Sequence, residues 1–263
     1  MFTTHFKMTD HPFSERVPIH GILRDERMTQ GTARLNSITH HATIALITGD
    51  EGVGKSSLIR LFMDSLGKNR YHPVYIHLTH LNAPSFLKIL VSTMGELPAW
   101  GKHKVLLQIL KKTKSNDITT IFLIDEAHLL APDALIDLRL LVSSAIEDTD
   151  RLKMVLIGHS EIKKELRRSC HTAFAQRITV RYHIPPLALS QTHQYIDFHM
   201  RRVGCSEKTF ETEVKNDIHE YARGIPRLIN NLATACLLNA AANNSQKVTS
   251  AILAQSLDEF QIF

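Results

Sequence analysis

The octapeptide Gly49-Asp50-Glu51-Gly52-Val53-Gly54-Lys55-Ser56 follows the apolar run Ile44–Thr48 and leads straight into the helical pattern Leu58, Ile59, Leu61, Phe62. A strand, a glycine-rich turn and a helix in that order form a P-loop in its expected context. Gly49 and Gly54 permit backbone angles that let successive amide N–H groups curl around phosphate oxygens, and the helix directs its positive end at the same point. Lys55 adds a point charge for the β- and γ-phosphates, the Ser56 hydroxyl suits a Mg²⁺ position, and Ser57 stands beside it. The candidate phosphate-binding set is therefore Gly49, Asp50, Glu51, Gly52, Val53, Gly54, Lys55, Ser56 and Ser57.

A chain of 263 residues can bury a core large enough for one large or two unequal domains. Its 43% hydrophobic and 22% charged residues are ordinary for a soluble globular protein and argue against a disordered or fibrous chain. No stretch approaches the roughly 18 uninterrupted apolar residues of a membrane span, and the first residues lack the pattern of a signal peptide, so a cytoplasmic location without membrane insertion is expected. The three cysteines, Cys170, Cys205 and Cys236, are widely spaced and suit reduced core thiols better than disulfides or a zinc site. Of the 16 histidines, His40-His41, His77, His80, His193 and His199 form no combination with nearby Cys or carboxylates that reads as a metal site. The net charge of +5 lies before Gln191, which permits nucleic-acid or membrane-surface binding without requiring it.

Downstream of a polar start and a helix expected over 25–38, apolar runs at 74–78, 121–124, 154–157 and 178–183 alternate with helical patterns over 85–94, 104–112 and 132–145. The continuous run Ile121-Phe122-Leu123-Ile124 reads as a strand buried on both faces, as a parallel sheet covered by helices requires. With the P-loop strand this makes an α/β domain with a five-stranded parallel sheet. Pro185-Pro186 then interrupts the chain, since neither residue supplies a ladder N–H. Helical patterns over 192–203, 213–222, 226–242 and 250–260 follow, and Leu228, Ile229, Leu232, Ala233, Cys236 and Leu237 recur at helical spacing. The expected organisation is an N-terminal segment and linker helix over 1–42, a P-loop α/β domain over 43–186, and a small all-helical lid over 187–263.

Asp125-Glu126 stands at the carboxyl end of the buried strand, where open α/β sheets bind ligands. Two carboxylates facing a phosphate need a reason. The economical one is that Asp125 holds the Mg²⁺ shell while Glu126 orients and polarises the water that attacks the γ-phosphate, making the chain an ATP hydrolase with ATP and Mg²⁺ as cofactors. The alternative is a helix cap by Asp125 and a solvated Glu126. Asp125-Glu126-Ala127-His128 also spells a helicase box, but a helicase of that group carries two motor domains and this chain has room for one.

The P-loop, Phe122–Ala127, Val155–Gly158, Ala175–His183 and Gly224-Ile225-Pro226-Arg227-Leu228-Ile229-Asn230 together resemble an AAA+ ATPase of the ExeA/GspA-like group, over about residues 10–260. The resemblance implies a P-loop AAA+ domain, a helical lid, and assembly of copies into a ring or helical filament with active sites between subunits. It places sensor 1 at Gly158-His159-Ser160, with His159 ahead of Ser160; a turn residue without catalytic duty is the competing reading. Arg177 lies in the segment that resembles the trans-acting arginine-finger region, with Arg167, Arg168 and Arg181 as competitors and a surface pair to Glu161 or Glu165 as the plain alternative. Arg227 resembles sensor 2. A cation at a helix start is disfavoured by roughly 0.3–1 kcal/mol, so it requires an anionic partner, either nucleotide phosphates or an acidic side chain.

Secretion ATPases of the ExeA/GspA type couple the motor to a membrane span and a periplasmic part, whereas this sequence ends soon after the lid. Stand-alone members resemble transposition helpers of the IstB, TniB and TnsC type, which coat double-stranded DNA for a transposase. Lys102, Lys104, Lys111, Lys112 and Lys114 add to the second reading, although a lysine cluster is ordinarily a solvated face. A DNA contact through them would be to phosphates and salt-sensitive.

Overall fold

The computed structural model describes residues 2–40, 43–77, 82–115, 117–148 and 151–260; His41, Leu78 and His80 lie outside the described residues. Two compact units are present, one holding residues 29–50 and 55–184, the other residues 51–54 and the chain up to 28 and from 185 on. The N-terminal stretch read from sequence as one segment is thus shared between them.

The first unit is built on a parallel sheet of β1 (Ile44–Thr48), β2 (Tyr71–His77), β3 (Thr119–Asp125), β4 (Leu152–Gly158) and β5 (Ile178–His183). The strand order is β2-β3-β4-β1-β5. Every residue of β1 and β4 is buried, which is why their middles, 44–47 and 154–157, read as continuous apolar runs, whereas the edge strands β2 and β5 alternate between buried and exposed positions. Pro73 sits inside β2, where a missing N–H is tolerated because one side of an edge strand needs no partner. That alternation explains why β2 begins at Tyr71, three residues before the apolar run that reveals it. Helices Ala83–Thr93, Lys102–Ser115 and Pro132–Asp148 supply Phe86, Leu87, Leu90, Val105, Ile109, Leu135 and Leu138 to the core against Phe122, Ile124, Met154 and Leu156. The helix Ala83–Thr93 starts on an Asn82 cap whose side chain accepts from Ser85 N at 2.9 Å.

The second unit contains helices Leu189–Arg202, Thr212–Ala222, Pro226–Ala242 and Ser250–Phe260 around Ile196, Met200, Val214, Ile218, Ile229, Leu232, Cys236 and Leu237. Phe2, Phe6 and Phe13 are buried in the same core, and Thr9 N donates to Val203 O at 3.0 Å. The polar appearance of the first residues conceals three aromatic anchors spaced through them. Of the cysteines only Cys236 is a fully buried thiol; Cys205 is half-buried and Cys170 exposed, so the core-thiol expectation is corrected for Cys170. No helix among the described residues is long and apolar enough to cross a membrane.

Candidate active site

In the sheet unit, β3, β4 and β1 are neighbours and parallel, with Ile124 opposite Leu156 and Gly158 opposite Thr48. Their carboxyl ends therefore fall at one edge, and the residues that follow each strand, Glu126, His159 and Gly49, rise from it together.

Lys55 opens the helix Lys55–Ser65, is buried, and its Nζ donates to Gly49 O and Asp50 O, both at 3.0 Å. The left-handed glycines of the loop are Gly52 (φ 76°) and Gly54 (φ 108°); Gly49, expected to be one of them, is not. A side chain at Gly52 would also strike Arg227 Cβ, 2.7 Å from the position of a built Cβ. Two left-handed residues separated by one turn the loop's N–H groups to one side, the arrangement an anion needs. Val53 is buried, and Ser56 and Ser57 lie in the first turn of the helix, Ser56 exposed and Ser57 half-buried.

Asp125 is buried at the end of β3. Its carboxylate accepts hydrogen bonds from the Tyr75 hydroxyl and from Glu126 N at 2.9 Å, with His77 Nδ1 3.9 Å away. Burial, then the hydrogen bond to Asp125 and the charges of Asp125 and Glu126, push the Tyr75 phenol well above its usual range, so it remains a donor to the carboxylate. Tyr75 has no signal in the sequence as a site residue, because its contact depends on the β2–β3 register that sets Tyr75 opposite Leu123 and His77 opposite Asp125.

Glu126 adopts a left-handed backbone (φ 55°, ψ 35°), an uncommon conformation for a residue with a β-carbon. The next residues form the short 3₁₀ turn Ala127–Leu129, which brings His128 back so that its Nδ1 lies 3.3 Å from Glu126 Oε2. His159 Nε2 is 3.8 Å from the same oxygen, and the two imidazole centroids are 4.6 Å apart. Burial and the neighbouring His159 hold the His128 pKa below its ordinary value, against the opposing pull of Glu126. Sequence spacing offered no such set, since His128 and His159 stand 31 positions apart. Ser160, the second sensor candidate, is exposed in the turn leading to the helix Ile162–Leu166.

Arg177 is half-buried after the short helix Thr172–Gln176, and its side chain has no ion pair among the described residues. Of the two acidic partners expected for it, Glu165 pairs with Arg168 at 3.0 Å and with His171 at 3.0 Å, and neither Glu165 nor Glu161 forms an ion pair with Arg177. Arg181 is tied to Ala175 O at 2.8 Å and Ile178 O at 3.2 Å, and Arg167 is exposed. Among the basic-helix residues, Lys102 pairs with Asp137 at 2.7 Å and Lys112 with Glu96 at 3.1 Å; Lys104, Lys111 and Lys114 are exposed.

In the helical unit, Arg227 occupies the first turn of Pro226–Ala242. Its guanidinium meets Glu51 Oε1 of the P-loop at 2.5 Å and its N–H faces Gly52 O at 3.3 Å, so the anion demanded by its position is an acidic side chain of the loop itself. The entry to this helix is set by Arg223 (φ 49°) and Gly224 (φ 72°) in succession, with Leu187 N donating to Gly224 O at 2.8 Å.

Residues 38–166 match the family described as an AAA domain. The chain is 29% identical over 260 residues to the general secretion pathway protein A of Aeromonas hydrophila, covering 94% of this chain and 46% of that protein, so it spans about half the length of that relative. Among solved structures it is similar to Cdc6p of Pyrobaculum aerophilum, with TM-score 0.75, 19% identity, and coverage of 96% of this chain and 71% of that one. It is likewise similar to the ORC1 protein of Aeropyrum pernix in complex with DNA, with TM-score 0.68, 14% identity, and coverage of 98% and 69%. With its P-loop, its β2-β3-β4-β1-β5 parallel sheet and its following helices, the chain has the α/β P-loop fold of the AAA+ ATPases.

Proposed function

We propose that the chain binds ATP with Mg²⁺ and hydrolyses it, and that copies of the chain assemble in a nucleotide-dependent way. The observation that carries this is the common edge of β1, β3 and β4, from which a buried lysine, a buried aspartate and a glutamate all rise. The residues fit the cofactor: Gly52 and Gly54 hold left-handed angles, and Asp125 is a buried carboxylate with a spare acceptor capacity beside its two donors. Ser56 and Asp125 would hold the metal, which would neutralise charge on the β- and γ-phosphates. Lys55 supplies a fixed positive charge at the loop. Glu126 orients water and draws on its proton, with His159 beside it as the polar residue that answers to the γ-phosphate. Arg227 answers to phosphate charge at the P-loop, and the unpaired Arg177 is offered to a neighbouring copy.

For what hydrolysis drives, the leading reading is a DNA-bound regulator that hands a site to a transposase; the exposed Lys104, Lys111 and Lys114 support the DNA contact, and a DNA complex of a similar fold is in keeping with it. A secretion motor is the second reading, favoured by the likeness to a general secretion pathway protein along 94% of the chain.

Phosphate release measured with and without duplex DNA tests both levels. Lys55→Ala should abolish ATP binding, and Glu126→Gln should retain ATP while losing roughly 100-fold or more in turnover. Equal turnover in wild type and Glu126→Gln removes the glutamate from the mechanism. Turnover and ATP-dependent binding indifferent to DNA remove the DNA reading and leave the secretion one.

A further inference from the structure

We propose that Glu126, His128 and His159 form a binding site for a divalent cation of the zinc class, and that filling it withdraws Glu126 from catalysis. One carboxylate oxygen and one nitrogen from each imidazole all lie within 4.8 Å of one another. The glutamate oxygen stands 3.3 Å from His128 Nδ1 and 3.8 Å from His159 Nε2. A tetrahedral ion with bonds of about 2.0–2.1 Å sets its ligands roughly 3.3 Å apart, so the Glu126–His128 pair already has the required spacing, the Glu126–His159 pair needs a side-chain adjustment of about half an ångström, and the two imidazole nitrogens, within 4.8 Å of each other, close by no more than about 1.5 Å. The imidazole planes are inclined at 60° rather than stacked, which leaves room for ring nitrogens to converge on one point.

Three features of the backbone build this arrangement. The left-handed Glu126 and the 3₁₀ turn after it fold His128 back over the glutamate. Gly158, at the end of β4, leaves the space that His128 uses: a Cβ there would lie 3.2 Å from both His128 N and His128 Nδ1. His159 N–H points at His128 Nδ1 across 3.4 Å, which makes Nδ1 the unprotonated nitrogen, with a lone pair that a cation can take over from the amide. That contact is long enough to yield to a metal bond.

The donor set selects the ion. Two imidazoles and one carboxylate suit Zn²⁺, Co²⁺ or Ni²⁺, whereas Mg²⁺ prefers an octahedron of oxygens, so the site is distinct in kind from the Mg²⁺ position at Ser56 and Asp125. Three protein ligands leave a fourth position open to water. A glutamate with one carboxylate oxygen bound to such an ion is a weaker base and is held towards the histidines, so ATP turnover should be inhibited and restored by a chelator. This consequence rests on the hydrolytic reading above; the cation site itself does not.

The test is titration of the nucleotide-free full chain with Co²⁺, read by the visible absorption of a low-coordinate Co²⁺ centre, and with Zn²⁺ in competition against a chromogenic chelator. One high-affinity equivalent is expected, weakened at least ~10-fold in His128→Gln and in His159→Gln, weakened also by Gly158→Ala, and unchanged by His193→Gln on the helical unit. In the wild type, the imidazole resonances of His128 and His159 should be the ones that shift with the first equivalent of Zn²⁺, a readout independent of any variant's folding. Failure to bind, or binding of equal strength in both histidine variants with wild-type resonances unmoved, overturns the site and assigns any uptake to scattered surface imidazoles. A full site with undiminished ATP turnover upholds the cation site and overturns the hydrolytic role of Glu126.

Discussion

His199 is the residue through which acid should loosen the helical unit. It is 3% exposed, its Nδ1 is 3.0 Å from Pro12 O, and its ring lies against Tyr195, Phe13 and Phe198 with centroids 4.4, 5.8 and 5.4 Å away. Burial, and then the nearby Arg202 guanidinium, push its pKa down from 6.5 to about 4, while the Pro12 carbonyl pulls weakly the other way. The native state therefore keeps this imidazole neutral where the unfolded chain takes up a proton. Its contribution to stability is complete above pH 6.5 and is lost as pH falls through that value towards 4; below 4 both states are protonated and no further loss arises from it.

The loss amounts to about 1.4 kcal/mol at pH 5.5 and about 2 kcal/mol at pH 5, approaching about 3 kcal/mol near pH 4. Urea unfolding of wild type and His199→Gln across pH 7.5 to 5 isolates the term, because glutamine can still donate to Pro12 O but does not titrate. The wild type should fall more steeply by about 2 kcal/mol over that range, and the His199 ring resonance should not titrate above pH 5. Parallel stability curves, or a ring that titrates near 6.5, would mean that burial of His199 does not set the acid sensitivity of this unit. The effect has a direction in the fold as well, since the bond to Pro12 and those from Arg202 Nη2 to His11 O and Pro12 O, each 2.9 Å, fasten the N-terminal segment to the helix Leu189–Arg202.

Tyr75→Phe removes a donor from the buried Asp125 carboxylate and should cost about 1–2 kcal/mol of stability together with a raised Mg²⁺ requirement for turnover; an unchanged Mg²⁺ dependence would make the tyrosine irrelevant to the metal position. Gly224→Ala places a Cβ 2.0 Å from Leu187 O at a φ of 72°, and should destabilise the helical unit by more than about 2 kcal/mol, whereas a thermal midpoint equal to wild type would show that the segment before Pro226 yields freely.

Local chemistry made most of the sheet legible. β1, β3 and β4 announce themselves because the middle of a strand buried on both faces is a continuous apolar run, and Asp125-Glu126 stands out because it ends such a strand. Side chains that meet across register or turns left no trace. Tyr75 reaches Asp125 only through the pairing of β2 with β3, and His128 reaches His159 only because β4 neighbours β3 and Gly158 leaves room. The burial of Phe2, Phe6 and Phe13 was equally hidden, since one i, i+4 pair and a single distant aromatic in a polar stretch are too few to establish a period. Gly49 misled for a related reason: a glycine in a motif is a permission to adopt φ > 0, and only the path of the loop decides that Gly52 and Gly54 use it.

Arg227 stands as a cation in the first turn of the helix Pro226–Ala242. A cation in the first turn demands an anion, but the demand is equally met by a phosphate or a carboxylate, and the structure answers with Glu51 at 2.5 Å. The two side chains are 50% and 73% exposed, so their pair contributes no more than about 1 kcal/mol and is weakened further by salt. A triphosphate at the P-loop carries several charges and should draw Arg227 away from a single solvated carboxylate. Glu51→Gln should therefore leave stability within about 0.5 kcal/mol of wild type and leave ATP affinity equal or tighter, while Arg227→Ala weakens it. Equilibrium binding of a fluorescent ATP analogue distinguishes the outcomes. A large loss of affinity in Glu51→Gln would mean that the carboxylate positions the arginine for phosphate instead of competing with it.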